Sequence, residues 1–351
     1  MHSTNIYFDI INWYDANKRN LPWRETKDPY KIWLSEVMLQ QTQVSTVIPY
    51  YHKWIKQYPT IESVADAHID SLLKTWEGLG YYSRCRNFHE AAKIVNHNYS
   101  GVIPSDKKSF QSLPGVGDYI LGAVLSIAFN QPHCAIDGNH RRVLYRFLGL
   151  KKRSKRNESR IAKLLKAQLE IGRPGDINQA LMDIGSAICK PKTTNCNGCP
   201  FKSACRAAKM DNPLSYPAPK IKKVIPTKEM AAVLITKNDN IYISKRSKNG
   251  LLGGLWELPN VQLNSNSGDH IEIKKKVHKT YGQHISVRKN LGKVTHALTH
   301  FKMNITLFGC VMIHSEQENH NGKWISYSAL TDYAFSKANH KLFKLIDKEY
   351  V

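Results

Sequence analysis

Apolar residues recur every three to four positions through the first 210 residues and shift toward every second position in the last third of the chain. The helical spacing covers 5–17, 30–50, 61–76, 86–96, 120–129, 138–150 and 158–171, which predicts an array of helices joined by short loops. Between 211 and 228 the pattern breaks. Pro213, Pro217, Pro219 and Pro226, with Lys222 and Lys223 among them, deny a continuous helix and mark a linker. Beyond it, 231–236, the polar turn Lys237-Asn238-Asp239-Asn240 and 241–244 predict a hairpin, and 303–312 a further strand. Two domains are expected: an all-α one over 1–210 and an α+β one over 229–351.

Charge narrows the partner. The chain of 351 residues carries a net charge of +23, and both halves share it: 30 basic against 17 acidic residues in 1–210, 21 against 11 in 211–351. A polyanion is the expected partner. The N-terminus has no cationic start followed by an apolar run, and no apolar stretch reaches membrane-spanning length, so a cytoplasmic protein without membrane association is expected.

Cysteine use points the same way. Cys85, Cys134 and Cys310 are scattered, whereas Cys189, Cys196, Cys199 and Cys205 fall in C-x6-C-x2-C-x5-C spacing among loop formers. Four thiolates so close make a metal site in a reducing compartment. A structural zinc would take the same ligands; the wide outer spacing favours a [4Fe–4S] cluster.

Four other segments carry chemistry. Leu113-Pro114-Gly115-Val116-Gly117-Asp118-Tyr119 lies between two helical patterns, where the glycines allow a tight turn with amides facing a phosphate. In Ile136-Asp137-Gly138-Asn139, Asp137 stands where a helix begins; it is either a plain cap or a carboxylate kept ionised to stabilise a cation. Glu36 sits among Trp33, Leu34, Val37, Met38 and Leu39, surroundings that raise a carboxyl pKa and suit a proton donor. Gly78-Leu79-Gly80-Tyr81-Tyr82-Ser83-Arg84 offers aromatics and an arginine on a flexible loop, suited to stacking.

Taken in order, Leu34–Val44, Gly115/Gly117, 136–139, the cysteine tetrad and Gly253-Gly254-Leu255-Trp256-Glu257-Leu258-Pro259 resemble the helix-hairpin-helix DNA glycosylases with an iron–sulfur cluster, and among them the MutY-type adenine glycosylases. The resemblance implies excision of adenine mispaired with 8-oxoguanine or guanine in double-stranded DNA, by a monomer that flips the base out. It implies Glu36 as general acid, Asp137 as the carboxylate facing the sugar cation, and Tyr119 and Asn139 as orienting groups. Arg24 would line the adenine pocket; Gln40, Gln41 and Tyr81 would wedge the duplex. The resemblance also sets the chain apart from endonuclease III, a related enzyme that has a lysine in place of Tyr119 and cleaves the strand through a Schiff base; a phenol cannot.

The second domain resembles the Nudix fold. Leu298, Thr299 and His300 take the place of the Phe-Ser-His loop that reads 8-oxoguanine, without the aromatic. The stretch 273–282 carries lysines where Nudix hydrolases hold metal with glutamates, which disfavours a pyrophosphatase. A non-catalytic iron–sulfur DNA sensor is the remaining alternative. Deletion of 229–351 is expected to leave a folded glycosylase.

Overall fold

The computed structural model describes residues 6–210, 212–219, 224–264, 269–315 and 321–346; Asn5, Lys222 and Lys223 lie outside these. Packing divides the chain into two units, Met1–Asp66 with Asn87–Ile221, and Ala67–Arg86 with Lys222–Val351. Residues 67–86 thus pack with the C-terminal sheet, although their helical pattern continues that of the first 210 residues.

The first unit contains α1 (Tyr7–Asn17), α2 (Pro29–Leu39), α3 (Val44–Gln57) and α4 (Ile61–Asp66). The stretch read as one helix over 30–50 is two. The chain turns between Leu39 and Thr42, where Thr42 N–H donates to Leu39 O at 3.2 Å and Gln41 has φ 58°. The pattern over 61–76 also breaks in two: α5 (Ile69–Thr75) follows α4 and belongs to the second unit, its first turn capped by His68, whose Nδ1 accepts from Asp70 N–H. Next, α6 (Ser83–Tyr99) runs from the second unit into the first, followed by α7 (Lys107–Gln111), α8 (Asp118–Ile127), α9 (Gly138–Phe147), α10 (Lys155–Leu169) and α11 (Pro174–Asp183).

The chain anticipates neither α7 nor α11, since Gly172-Arg173-Pro174-Gly175 reads as a breaker. Arg173 takes the left-handed conformation (φ 44°) and Pro174 opens the helix, where its missing N–H costs nothing. α11 then runs through the core: Ile177, Ala180 and Leu181, with Ile184 just past its end, pack with Ile10, Tyr14, Val143, Leu144 and Leu165. Burial of such side chains contributes roughly 1.5–3 kcal/mol each.

The second unit is built on a seven-stranded sheet of β1 (Thr227–Lys237), β2 (Asn240–Lys245), β3 (Trp256–Glu257), β4 (Asn260–Gln262), β5 (Gln283–Ala297), β6 (Lys302–Ser315) and β7 (Gly322–Ser326). The path is β3-β2-β1-β6-β5, with β4 on β1 and β7 on β2; β1 and β6 run parallel, Thr227 opposite Lys302. The expected hairpin pairs Thr236 with Ile241.

β1 shows how period two becomes two layers. Ala232 and Leu234 enter the core beneath α13 (Lys337–Phe343), while Ala231, Val233 and Ile235 face α12 (His270–Tyr281). No helix among the described residues is long and apolar enough to cross a membrane.

Candidate active site

Glu36 is buried, 3% exposed, because α2 is enclosed on most of its surface from Tyr30 to Met38. The Tyr119 hydroxyl, from the first turn of α8, donates to Glu36 Oε2 at 2.5 Å. Burial pushes the carboxyl up to about 7, against the Tyr119 bond and the Arg24 charge and with help from Asp137. Burial beside Glu36 also drives the Tyr119 phenol far above its usual range. At neutral pH Tyr119 keeps its proton and Glu36 is close to half protonated, which makes it a competent proton donor.

Asp137 caps α9. Its Oδ1 accepts from the His140 backbone N–H and stands 2.8 Å from His140 Nδ1; its Oδ2 accepts from Asn139 Nδ2, also at 2.8 Å. Burial opposes ionisation, but the His140 bond, the His140 charge and the backbone donors outweigh it and hold Asp137 below the ordinary carboxylate range. A neutral acid and an ionised carboxylate are therefore set near each other by environment alone.

Asn139 is fixed in turn. Arg142 Nη2 donates to Asn139 Oδ1 and to Gly185 O, both at 2.7 Å, and Arg142 Nε to Cys189 O at 2.7 Å. Arg146 Nη1 donates to Cys189 Sγ at 3.2 Å and to Lys190 O at 2.8 Å. Cys189, Cys196, Cys199 and Cys205 line one cavity with Arg146 and Lys202. Burial pushes the Cys199 thiol up to about 12. Among the described residues no group of three or more His, Cys, Asp or Glu side chains is placed to hold a metal ion.

Arg24 is bonded to Asp183 of α11 through both terminal nitrogens, at 2.6 and 3.1 Å, and its Nε is buried without a partner among the described residues. Gln40 closes α2 half-buried, and Gln41 is exposed. At the hairpin Gly115 has φ 80°, and a Cβ there would stand 2.9 Å from Asn87 Cβ. Gly117 caps α8 in extended backbone with no side-chain cap, and a Cβ there would meet nothing within 4 Å. Its openness leaves room for another molecule's backbone.

In the second unit Tyr81 is exposed on left-handed backbone (φ 48°), with the Arg84 guanidinium 5.2 Å from its ring centroid. Its hydroxyl lies 3.4 Å from Thr299 Oγ1. Tyr81, Leu298, Thr299 and His300 line a cleft of about 450 Å³ together with Phe301 and His296. Phe301, unanticipated, restores an aromatic three residues from the leucine. Across the sheet the Nudix-type metal site is absent from the described residues: α12 carries one acid, Glu272, paired with Lys276 at 2.7 Å, and Glu257 is tied to Arg246.

Residues unforeseen at the site are Asp183, His140 and Arg142. Asp183 lay in an unrecognised helix; the other two directly follow the 136–139 motif, where neither had an assigned part.

A helical unit with a glycine hairpin, a protonated glutamate and an ionised cap aspartate is the framework of a base-excision DNA repair enzyme. Residues 34–167 match the model of the HhH-GPD superfamily of base excision DNA repair proteins, and 230–345 that of the NUDIX domain. An adenine DNA glycosylase of Buchnera aphidicola (subspecies Baizongia pistaciae) is 39% identical over 72% of this chain and 73% of its own. The rat adenine DNA glycosylase is 31% identical over 97% of this chain and 77% of its own. The chain belongs to the adenine DNA glycosylase family. Among solved structures, a thermostable thymine-DNA glycosylase superposes with a TM-score of 0.54 at 27% identity, over 59% of this chain and 96% of that one. A trapped endonuclease III–DNA covalent intermediate, at 21% identity and TM-score 0.50 over 60% and 98%, shares the fold of the helical part.

Proposed function

We propose that this protein excises adenine opposite 8-oxoguanine in duplex DNA by hydrolysis, leaving the strand intact. The observation that carries it is the pairing of Glu36, protonated by burial at 2.5 Å from Tyr119, with Asp137, held ionised at the cap of α9. Glu36 gives its proton to a ring nitrogen of the flipped base, which turns adenine into a neutral leaving group. The unpartnered Nε–H of Arg24 is a donor left for that base. Asp137 faces the positive charge growing on the sugar and guides water to it. Tyr119 offers no amine, so no Schiff base forms and the strand stays whole. Glu36 and Asp137 at these protonation states speak against a mere DNA sensor, which needs neither.

Cys189, Cys196, Cys199 and Cys205 would hold a [4Fe–4S] cluster. Four thiols lining one cavity suit a group whose ligands sit on separate corners. The cluster would cross-link the loop that carries Lys190, Lys192, Lys202 and Arg206, basic side chains suited to the phosphate backbone. Lesion reading falls to the cleft of Tyr81, Leu298, Thr299, His300 and Phe301, where an exposed ring and hydroxyls meet base-sized space. The other mispair, adenine with guanine, would be read less well through the same cleft.

The test is a duplex with one adenine opposite 8-oxoguanine, guanine or cytosine, assayed for strand breakage before and after alkali. Breakage only after alkali, fastest opposite 8-oxoguanine, is expected. Borohydride trapping of protein on DNA, or equal rates for all three opposite bases, would overturn the reading.

A further inference from the structure

A capping aspartate ordinarily takes its bonds from backbone amides two and three residues on. Asp137 takes a further one, from a side chain. His140 lies on the first turn of α9 and is fully buried, with Nδ1 at 2.8 Å from the same Oδ1 that already accepts its own backbone N–H. His140 Nε2 is buried and has no partner among the described residues. The proton of the Nδ1–Oδ1 bond must sit on Nδ1, since an ionised carboxylate only accepts.

We propose that His140 is a positioning residue for excision: its Nδ1–H saturates Asp137 Oδ1 and thereby leaves Oδ2 as the oxygen presented to the sugar cation. A carboxylate oxygen has two good lone-pair directions. Both on Oδ1 are taken, by the His140 amide and the imidazole, whereas Oδ2 meets the Asn139 Nδ2–H and no histidine donor; the Asn139 backbone N–H also faces the carboxylate. The Asp137 side chain is 24% exposed while His140 is sealed. Water and sugar therefore meet the carboxylate and never the imidazole, which excludes His140 as the base itself.

The groups facing Asp137 are few. Glu36 from α2 and Tyr119 from α8 add negative potential when ionised, and Arg142 from α9 adds positive. Among the influences that lower the Asp137 pKa, the His140 bond is the largest. The inference rests on the excision reading above, in which Asp137 meets a sugar cation.

His140→Leu and His140→Asn separate donation from packing. Leucine fills the site and donates nothing; the asparagine Nδ2 occupies the place of the imidazole Nδ1. Expected for His140→Leu is a single-turnover excision rate lowered on the order of tenfold to a hundredfold, as for misplaced catalytic groups. Affinity for the mispaired duplex should stay within about twofold, since the lost interaction acts on the transition state. The acid limb of the rate should move to higher pH, because the bond that keeps Asp137 ionised is gone. His140→Asn should recover much of the rate and bring the acid limb back.

A second readout does not depend on which base is excised: affinity for a duplex carrying a cationic pyrrolidine in place of the sugar should fall more in His140→Leu than affinity for an abasic duplex. Wild-type rate and acid limb in His140→Leu would overturn the proposal. So would equal losses in the two variants, which would make the role one of packing. Failure of the wild-type protein to excise adenine would instead overturn the excision reading, and the pyrrolidine comparison would still decide the part of His140.

Discussion

Glu36 shows how one side chain couples stability to chemistry. Its folded-state pKa of about 7 lies above the 4.5 of a free glutamate, so the native protein keeps a proton that the unfolded chain has released. The associated stability is full below about pH 4.5, declines as pH rises and levels off past 7, a loss on the order of 3 kcal/mol. Glu36→Gln removes that penalty. Denaturant titration should find the variant more stable than wild type at pH 8 and close to it at pH 5. Its excision rate should fall by a factor on the order of 10² to 10⁴ with binding retained.

On the proposed mechanism the same proton should set the alkaline limb of activity near 7. Tyr119→Phe deletes a bond that favours ionised Glu36, so that limb should shift upward in pH while the maximal rate falls; a downward shift would deny Tyr119 its part. The Glu36 environment was legible because five apolar neighbours surround one acid between Trp33 and Leu39. His140 was not, because spacing alone does not tell whether a histidine beside a cap turns its ring toward the carboxylate.

At the scale of elements, two glycines with different reasons make the hairpin. Gly115 is required by conformation: φ 80° and the nearness of Asn87 make Gly115→Ala cost roughly 1–2 kcal/mol or more in stability. Gly117 is in backbone that alanine adopts freely, with open space around it. Gly117→Ala should leave the thermal midpoint unchanged or slightly raised, yet weaken DNA binding severalfold, because the added methyl meets the incoming phosphate. Melting curves beside binding isotherms decide it; equal effects from both substitutions would make the turn a purely internal feature.

Sequence spacing located this hairpin and α8 behind it, but neither α7 in front of it nor the exact ends of the helices. Gln40, Gln41, Thr42 and Gln43 are acceptable helix residues, and only the left-handed Gln41 splits 30–50 into α2 and α3. α11 was hidden for the opposite reason, since its start looks like a loop and its amphipathic stretch is short.

At the scale of the whole molecule, residues 67–86 bear on the expectation that deleting 229–351 leaves a folded glycosylase, because they pack with the C-terminal unit. These lie before the linker in sequence but are tied to the C-terminal sheet. Lys245 Nζ meets Asp70 at 2.6 Å, and Arg86 Nη1 donates to Gly253 O at 2.5 Å. Glu77 accepts from Phe335 N–H at 2.8 Å and Lys74 Nζ at 2.6 Å, and pairs with His340 Nε2 at 2.7 Å. Periodicity reads local spacing, and a tie some 260 residues long leaves no trace in it.

Burial opposes the ionised form of Glu77, but His340, Lys74 and the Phe335 amide together bring its pKa below the ordinary value. The stability these bonds supply is therefore present above the unfolded-state pKa and lost as pH falls through the lower, folded one. Glu77→Ala should cost about 1–3 kcal/mol at pH 7, the range for a charged hydrogen-bonded group removed from partners left behind, with the cost shrinking below about pH 4. Tyr81 lies four residues on, in the same cleft as Thr299, so the substitution should also loosen the lesion-reading surface. On the proposed function, the excision rate opposite 8-oxoguanine should drop toward that opposite guanine, while any cluster held by Cys189, Cys196, Cys199 and Cys205 stays whole. Preferred excision opposite 8-oxoguanine undiminished in Glu77→Ala would separate the anchoring of 67–86 from the reading of the opposite base.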